Sequence, residues 1–113
     1  MPSEESLLAQ RDDQQVVITL PAEIDMTNSP RLREALLAVI SRQPAAVVAD
    51  MTATTFCDSS GMHAIVTAYR QAVAADADLR LVISHPAPRR VFELSGVDTI
   101  VSIYPDLPAA LSG

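Results

Sequence analysis

The chain has 113 residues, 49% of them hydrophobic, with two Phe, two Tyr and no Trp, which is enough for one domain around a core of Val, Ile, Leu, Ala and Met. A net charge of −6 and a pI near 4.6 argue against a nucleic-acid binder, which needs a basic stripe, and against a protein held on anionic lipid. The single cysteine, Cys57, excludes an internal disulfide and fits a reducing compartment. The opening "MPSEESLLAQRDD" lacks the apolar stretch of a signal peptide, and no run approaches the length of a membrane span. The composition predicts a soluble cytoplasmic protein, a single domain over residues 1–113, with about the first six residues outside the ordered fold.

Leu7 to Ala9 is a short candidate edge strand, and "RDDQQ" (Arg11–Gln15) a turn. "VVITL" (Val16–Leu20) is β-branched and apolar, a buried strand. "PAEIDMTNSP" breaks the pattern and reads as a loop. Ser29 followed by Pro30 predicts a helix start, with the hydroxyl as cap and proline at the first helical position. Leu32, Ala35, Leu36, Val39 and Ile40 then recur at helical spacing. "PAAVVAD" (Pro44–Asp50) suits a strand covered on both faces. Met62, Ile65, Val66, Tyr69 and Val73 mark a second amphipathic helix that ends near "AADAD". "LRLVI" (Leu79–Ile83) is another strand, and "HPAPRRVFELSG" a short helix with prolines at its start and Gly96 past its end. "TIVSI" (Thr99–Ile103) is a last strand and "PDLPAALS" a terminal helix. Strands alternating with helices predict an α/β layer structure. The two N-terminal strands, joined by a tight turn, should be antiparallel and the later ones parallel, giving a mixed sheet of four or five strands flanked by helices.

The chemistry concentrates in Asp58-Ser59-Ser60-Gly61, between a buried strand and a helix. A helix N-terminus presents free N–H groups that favour a negative group, a phosphate included. Gly61 lets a partner's backbone or a phosphate come close. The same residues also read as an ordinary cap, one serine capping and Asp58 adding a favourable charge. A catalytic reading fares worse. A nucleophile elbow wants Gly two residues either side of its serine, whereas Cys57 and Gly61 flank Ser59. His63 on the helix does not reach back to Ser59, and His85 lies in a Pro-rich loop. Two His and one Cys at this spacing make no metal site. Cys57 reads as a small buried residue and Arg89-Arg90 as a solvated helix face.

"FCDSSGMHAIVTAYRQA" resembles the signature of STAS-domain anti-sigma factor antagonists, in which a hydrophobic residue precedes Asp-Ser-Ser/Thr-Gly at the opening of a helix. "VVITLPAEIDMTNSPRLREAL" is similar to the family's strand, Gly-Glu-Leu-Asp turn and first helix. "AVVADMTATTF" is similar to its central strand, and "RRVFELSGVDTIVSIYPDLPAAL" to its C-terminal Leu-Ser-Gly segment. The resemblance runs from Leu8 to Leu111 and implies the STAS fold. It implies a non-enzyme that binds an anti-sigma factor, itself a serine kinase of the GHKL ATPase type, and so frees a sigma factor. On that resemblance the kinase phosphorylates Ser59 and the pair separates, and a PP2C-type phosphatase restores the active form. Asp58 carries over as the motif's acid and Asp25 as the turn acid near the phosphoserine. Ser60 and Gly61 complete the partner-facing switch segment. No cofactor is implied, since ATP is the kinase's substrate, and neither nucleic acid nor membrane is an expected partner. The chain departs from the family at Pro21-Ala22, where a residue and Gly are usual, so a differently bent turn is expected there.

Phosphate adds about −1.5 to −2 charge at neutral pH. With Asp58 and Asp25 already acidic and no Arg cluster nearby in sequence, it should repel a partner rather than order a new internal contact. Sequence leaves open which of Ser59 and Ser60 caps the helix, with Ser60 the expected cap and Ser59 the expected acceptor. The alternative within the family is a STAS scaffold, or a regulatory module of a transporter or stress complex, without phosphorylation. A small hydrolase lacks its triad.

Overall fold

The computed structural model describes residues 9–11 and 15–113. Five strands form one sheet in the order β1-β2-β4-β6-β7: β1 (Ala9–Arg11), β2 (Gln15–Thr19), β4 (Ala46–Met51), β6 (Asp78–Ile83) and β7 (Ser102–Tyr104). β1 pairs antiparallel with β2, and the other neighbours pair in parallel. A second, two-stranded parallel ladder joins β3 (Glu23–Ile24) to β5 (Phe56–Cys57). The helices are α1 (Ser29–Ile40), α2 (Ser59–Ala74), α3 (Pro86–Ser95) and α4 (Leu107–Ser112). The expected mixed α/β architecture is therefore present.

Successive strand residues point to opposite faces. Val16 and Ile18, Val47, Ala49 and Met51, and Leu79, Leu81 and Ile83 form one face, in a core with Leu32, Leu36 and Ile40 of α1 and Ile65 of α2. The reverse face places Val48 and Val82 against Ala110 of α4. The Arg80 guanidinium fastens that helix, donating from Nη1 to the Ala110 carbonyl at 2.8 Å and from Nε to Asp78 Oδ2 at 2.8 Å. Burial on both faces explains why β4 reads as an apolar run, whereas β6 is interrupted by Arg80, whose side chain reaches α4.

Several boundaries differ from the sequence reading. Among the described residues the first strand is Ala9–Arg11, which takes in Ala9 of the expected Leu7–Ala9 and extends beyond it to Arg11. Leu7 and Leu8, and the first six residues expected outside the fold, lie outside the described residues. Within the expected turn Arg11–Gln15, Arg11 and Gln15 are strand residues and 12–14 lie outside the described residues. The N-cap of α1 is Asn28, not Ser29, which is buried as the first helical residue. Asn28 accepts from Asp25 N at 3.0 Å and donates from Nδ2 to the Glu23 carbonyl at 2.8 Å. The expected strand Thr99–Ile103 starts at Ser102, because Val97–Thr99 winds into a 3-10 turn after Gly96, whose φ is +82°.

The buried stripe of α2 is Gly61, Ala64, Ile65, Ala68 and Ala72. Of the five large residues expected there, only Ile65 is fully buried, and Val73 is 59% exposed. Small side chains let α2 lie close to its neighbours, and Met62, Val66 and Tyr69 pack at the margins of the core.

Candidate functional site

The segments before and after β3 and β5 run side by side. Leu20 N donates to the Asp50 carbonyl at 2.9 Å, Thr55 N to Ala22 O at 2.8 Å and Asp58 N to Ile24 O at 3.1 Å. The buried Thr54 hydroxyl donates to Pro21 O at 2.7 Å. The Pro21-Ala22 departure needs no glycine: among the described residues, positive φ occurs only at Gln43, Asp76 and Gly96. Because Ile24 lies opposite Cys57 in the ladder, the next residues, Asp25 and Asp58, emerge together at the start of α2. Their charges are close enough to repel, although hydrogen bonds from Thr27 leave the Asp25 pKa lowered on balance. Asp25 and Asp58 thus lie side by side at the edge where Ser59 and Ser60 begin α2.

Asp58 is the cap of α2. Its Oδ1 accepts from Ser60 N at 2.9 Å, Gly61 N at 3.2 Å and Ser60 Oγ at 2.6 Å. Ser60 is therefore not the cap, and Asp58 orients the Ser60 hydroxyl rather than that of Ser59. The reason is geometric: an extended N-cap aims a short side chain at the N–H groups two and three residues on. Ser59 is exposed, and its hydroxyl makes no hydrogen bond among the described residues.

Both acids are held in the charged form. The Ser60 hydroxyl first, and then the Gly61 and Ser60 N–H groups, lower the Asp58 pKa against the desolvation that raises it. The Thr27 hydroxyl and N–H, donating to Asp25 Oδ1 at 2.5 and 2.9 Å, lower that of Asp25. A depressed folded pKa contributes stability that is present above the unfolded value, near 3.8, and is lost as pH falls through the folded one. Asp58→Asn keeps a good cap and removes this titration. Its melting temperature should lie slightly below that of wild type at pH 7, where the ionised cap contributes, and fall less steeply below pH 4, measured by circular dichroism. Parallel acid profiles would assign the titration elsewhere.

Gly61 does not serve as an opening for a partner. It is buried, and a Cβ there would stand 2.5 Å from Ile24 Cγ2 and 2.7 Å from Cys57 Sγ. The close approach that glycine permits is internal, α2 against the β3–β5 ladder. Cys57 is 3% exposed, and burial, with the Asp58 charge second, pushes its thiol pKa up to about 12. Because the thiolate is the reactive form, the native protein should not react with a thiol reagent at pH 8 and should label fully in denaturant. Rapid native labelling would contradict this packing. His63 is exposed on α2, and His85 precedes the first residue of α3. Among the described residues no group of His, Cys, Asp and Glu could hold a metal ion, and no helix is long and apolar enough to cross a membrane.

Sequence reasoning missed the apolar rim of this edge. Met26, directly after Asp25, is 74% exposed, and Phe56, two residues before Asp58, is 49% exposed. The two-residue strands that place them carry no periodicity to detect.

Residues 6–110 match the STAS domain. The chain belongs to the STAS-domain family. The structure is similar to that of an anti-sigma factor antagonist from Mycobacterium paratuberculosis, with 32% identity, 94% of this chain and 90% of that one covered, and a TM-score of 0.86. The anti-sigma-F factor antagonist RsfB of Mycobacterium tuberculosis is 29% identical over 86% of this chain and 79% of its own length. The anti-sigma-B factor antagonist of Listeria monocytogenes is 26% identical over 85% and 84%. In this STAS domain the Asp-Ser-Ser-Gly segment opens α2 beside the β3–α1 turn, with Ser59 exposed and Gly61 buried.

Proposed function

We propose that this STAS protein is an anti-sigma factor antagonist switched by phosphorylation of Ser59. It binds an anti-sigma factor that is also a serine kinase, and that binding releases the sigma factor in the cytoplasm. The kinase then transfers the γ-phosphoryl group of ATP to Ser59 Oγ, and the complex separates. A PP2C-type phosphatase reverses the step. The protein acts by binding and catalyses nothing itself.

The observation that carries this reading is the Ser59 hydroxyl, exposed and unbonded among the described residues at the first position of α2. Its surroundings support a switch. Asp58 Oδ1 already occupies the Ser60 and Gly61 N–H groups, the donors that would otherwise draw a phosphate inward. A phosphate on Ser59 then projects outward, next to two carboxylates held ionised. The exposed Met26 and Phe56 supply apolar contact area that such a charge would spoil.

Incubation with GHKL-type ATPases from the source genome and ATP should add one phosphoryl group to wild type and none to Ser59→Ala, read by intact-mass spectrometry. A complex with the ATPase that forms without any phosphate transfer would favour the STAS scaffold reading instead.

A further inference from the structure

Two serines stand next to each other at the start of α2, both carrying a hydroxyl near solvent, yet their surroundings differ. Ser60 Oγ donates to Asp58 Oδ1 at 2.6 Å, and its N–H donates to the same oxygen at 2.9 Å. Ser60 is half-buried, whereas Ser59 is exposed with a hydroxyl unbonded among the described residues. We propose that Asp58 is the positioning residue that fixes phosphorylation on Ser59 by withholding Ser60 from the kinase.

This rests on the reading of Ser59 as a kinase substrate. Phosphoryl transfer forms a bond from the serine oxygen to the γ-phosphorus of ATP as the bond to the β–γ bridging oxygen breaks. ADP leaves, and the hydroxyl proton passes to a base of the kinase. The attacking oxygen must therefore give its proton to the kinase and turn a lone pair toward phosphorus. Ser60 has already committed its proton to an ionised carboxylate. Releasing it breaks a charge-assisted hydrogen bond and leaves Asp58 Oδ1 with one partner fewer. Ser59 has no such bond to break. The same three contacts cap the helix, so holding Ser60 back adds no residue to the fold.

The test is site-resolved mass spectrometry after reaction with the cognate ATPase and ATP, for wild type, Ser60→Ala, Asp58→Ala and the double variant Asp58→Ala/Ser59→Ala. Wild type and Ser60→Ala should carry phosphate on Ser59. In Asp58→Ala the ratio of Ser60 to Ser59 phosphate should rise about tenfold or more, the scale of one charge-assisted hydrogen bond. The double variant should accept phosphate on Ser60, where Ser59→Ala alone accepts none. A merely structural role for Asp58 would lower total phosphate without moving this ratio. An unchanged ratio, or no phosphate on Asp58→Ala, overturns the assignment while the switch reading stands. No phosphate on wild type from any tested ATPase sinks both. Hydrogen exchange by NMR on wild type keeps the test independent of variant folding: the Ser60 hydroxyl proton should be observable and slow, and a hydroxyl as fast as that of Ser59 overturns the proposal.

Discussion

Ser59→Asp is expected to weaken binding to the partner kinase by roughly ten- to a hundredfold, while Ser59→Ala should bind like the unmodified protein and accept no phosphate. A new charge at the centre of a desolvated interface is costly, and like-charge juxtaposition there amounts to several kcal/mol. Each 1.4 kcal/mol, roughly, is a factor of ten in affinity. A carboxylate carries about half to two-thirds of the charge of a phosphate, so the substitution should mimic modification only in part. The neighbours enlarge the effect, since Asp58 and Asp25 are both ionised at neutral pH, their pKa values held below the ordinary carboxylate value by local hydrogen bonds. Both variants should melt near wild type, because the cap of α2 is Asp58 and neither substitution touches it. An acidic residue in the first turn is also favourable there. Titration calorimetry against the ATPase with nucleotide present decides it. Equal affinities for the Asp and Ala variants would place Ser59 outside the interface.

The second large effect is on stability. Gly61→Ala should destabilise the protein by about 1–2 kcal/mol, even though alanine is the better helix former by about 1 kcal/mol. The new Cβ would lie within 2.5 Å of Ile24 Cγ2 and 2.7 Å of Cys57 Sγ. Ile24 cannot easily yield, being β-branched, fully buried and held in the ladder opposite Cys57. The start of α2 would have to lift away from β3 and β5, and Ser59 would move with it relative to Asp25. Chemical denaturation reads the stability, and the same calorimetry reads a loss of partner affinity. The sign is diagnostic, because glycine replaced at an open helix position gives stabilisation. A gain in stability would show that the ladder and helix can separate at no cost.

The sequence by itself determined the layer structure and the chemistry of the site. β2, β4 and β6 are dominated by β-branched and aliphatic residues, and α1 shows its buried stripe at helical spacing. Gly96 ends α3 where a left-handed residue is needed. Asp58-Ser59-Ser60-Gly61 is legible as a helix start with an acid and two hydroxyls because those residue types act on the local backbone. Tertiary structure decided what each of them does. The β3–β5 ladder is two residues long, too short for any pattern, yet it sets Asp25 beside Asp58 from 33 positions away along the chain. The face that α2 buries follows its alanines rather than its larger residues, since the distance between helix and neighbour, not side-chain hydrophobicity, selects what fits. Gly61 is required by a contact with Ile24 that no local signal encodes. The division between Ser59 and Ser60 rests on one carboxylate oxygen, aimed by the extended backbone of Asp58 and the Ile24 carbonyl that holds its N–H. Composition and periodicity register which groups are present, but a hydrogen bond depends on where they point, and that is set only when separate segments pack.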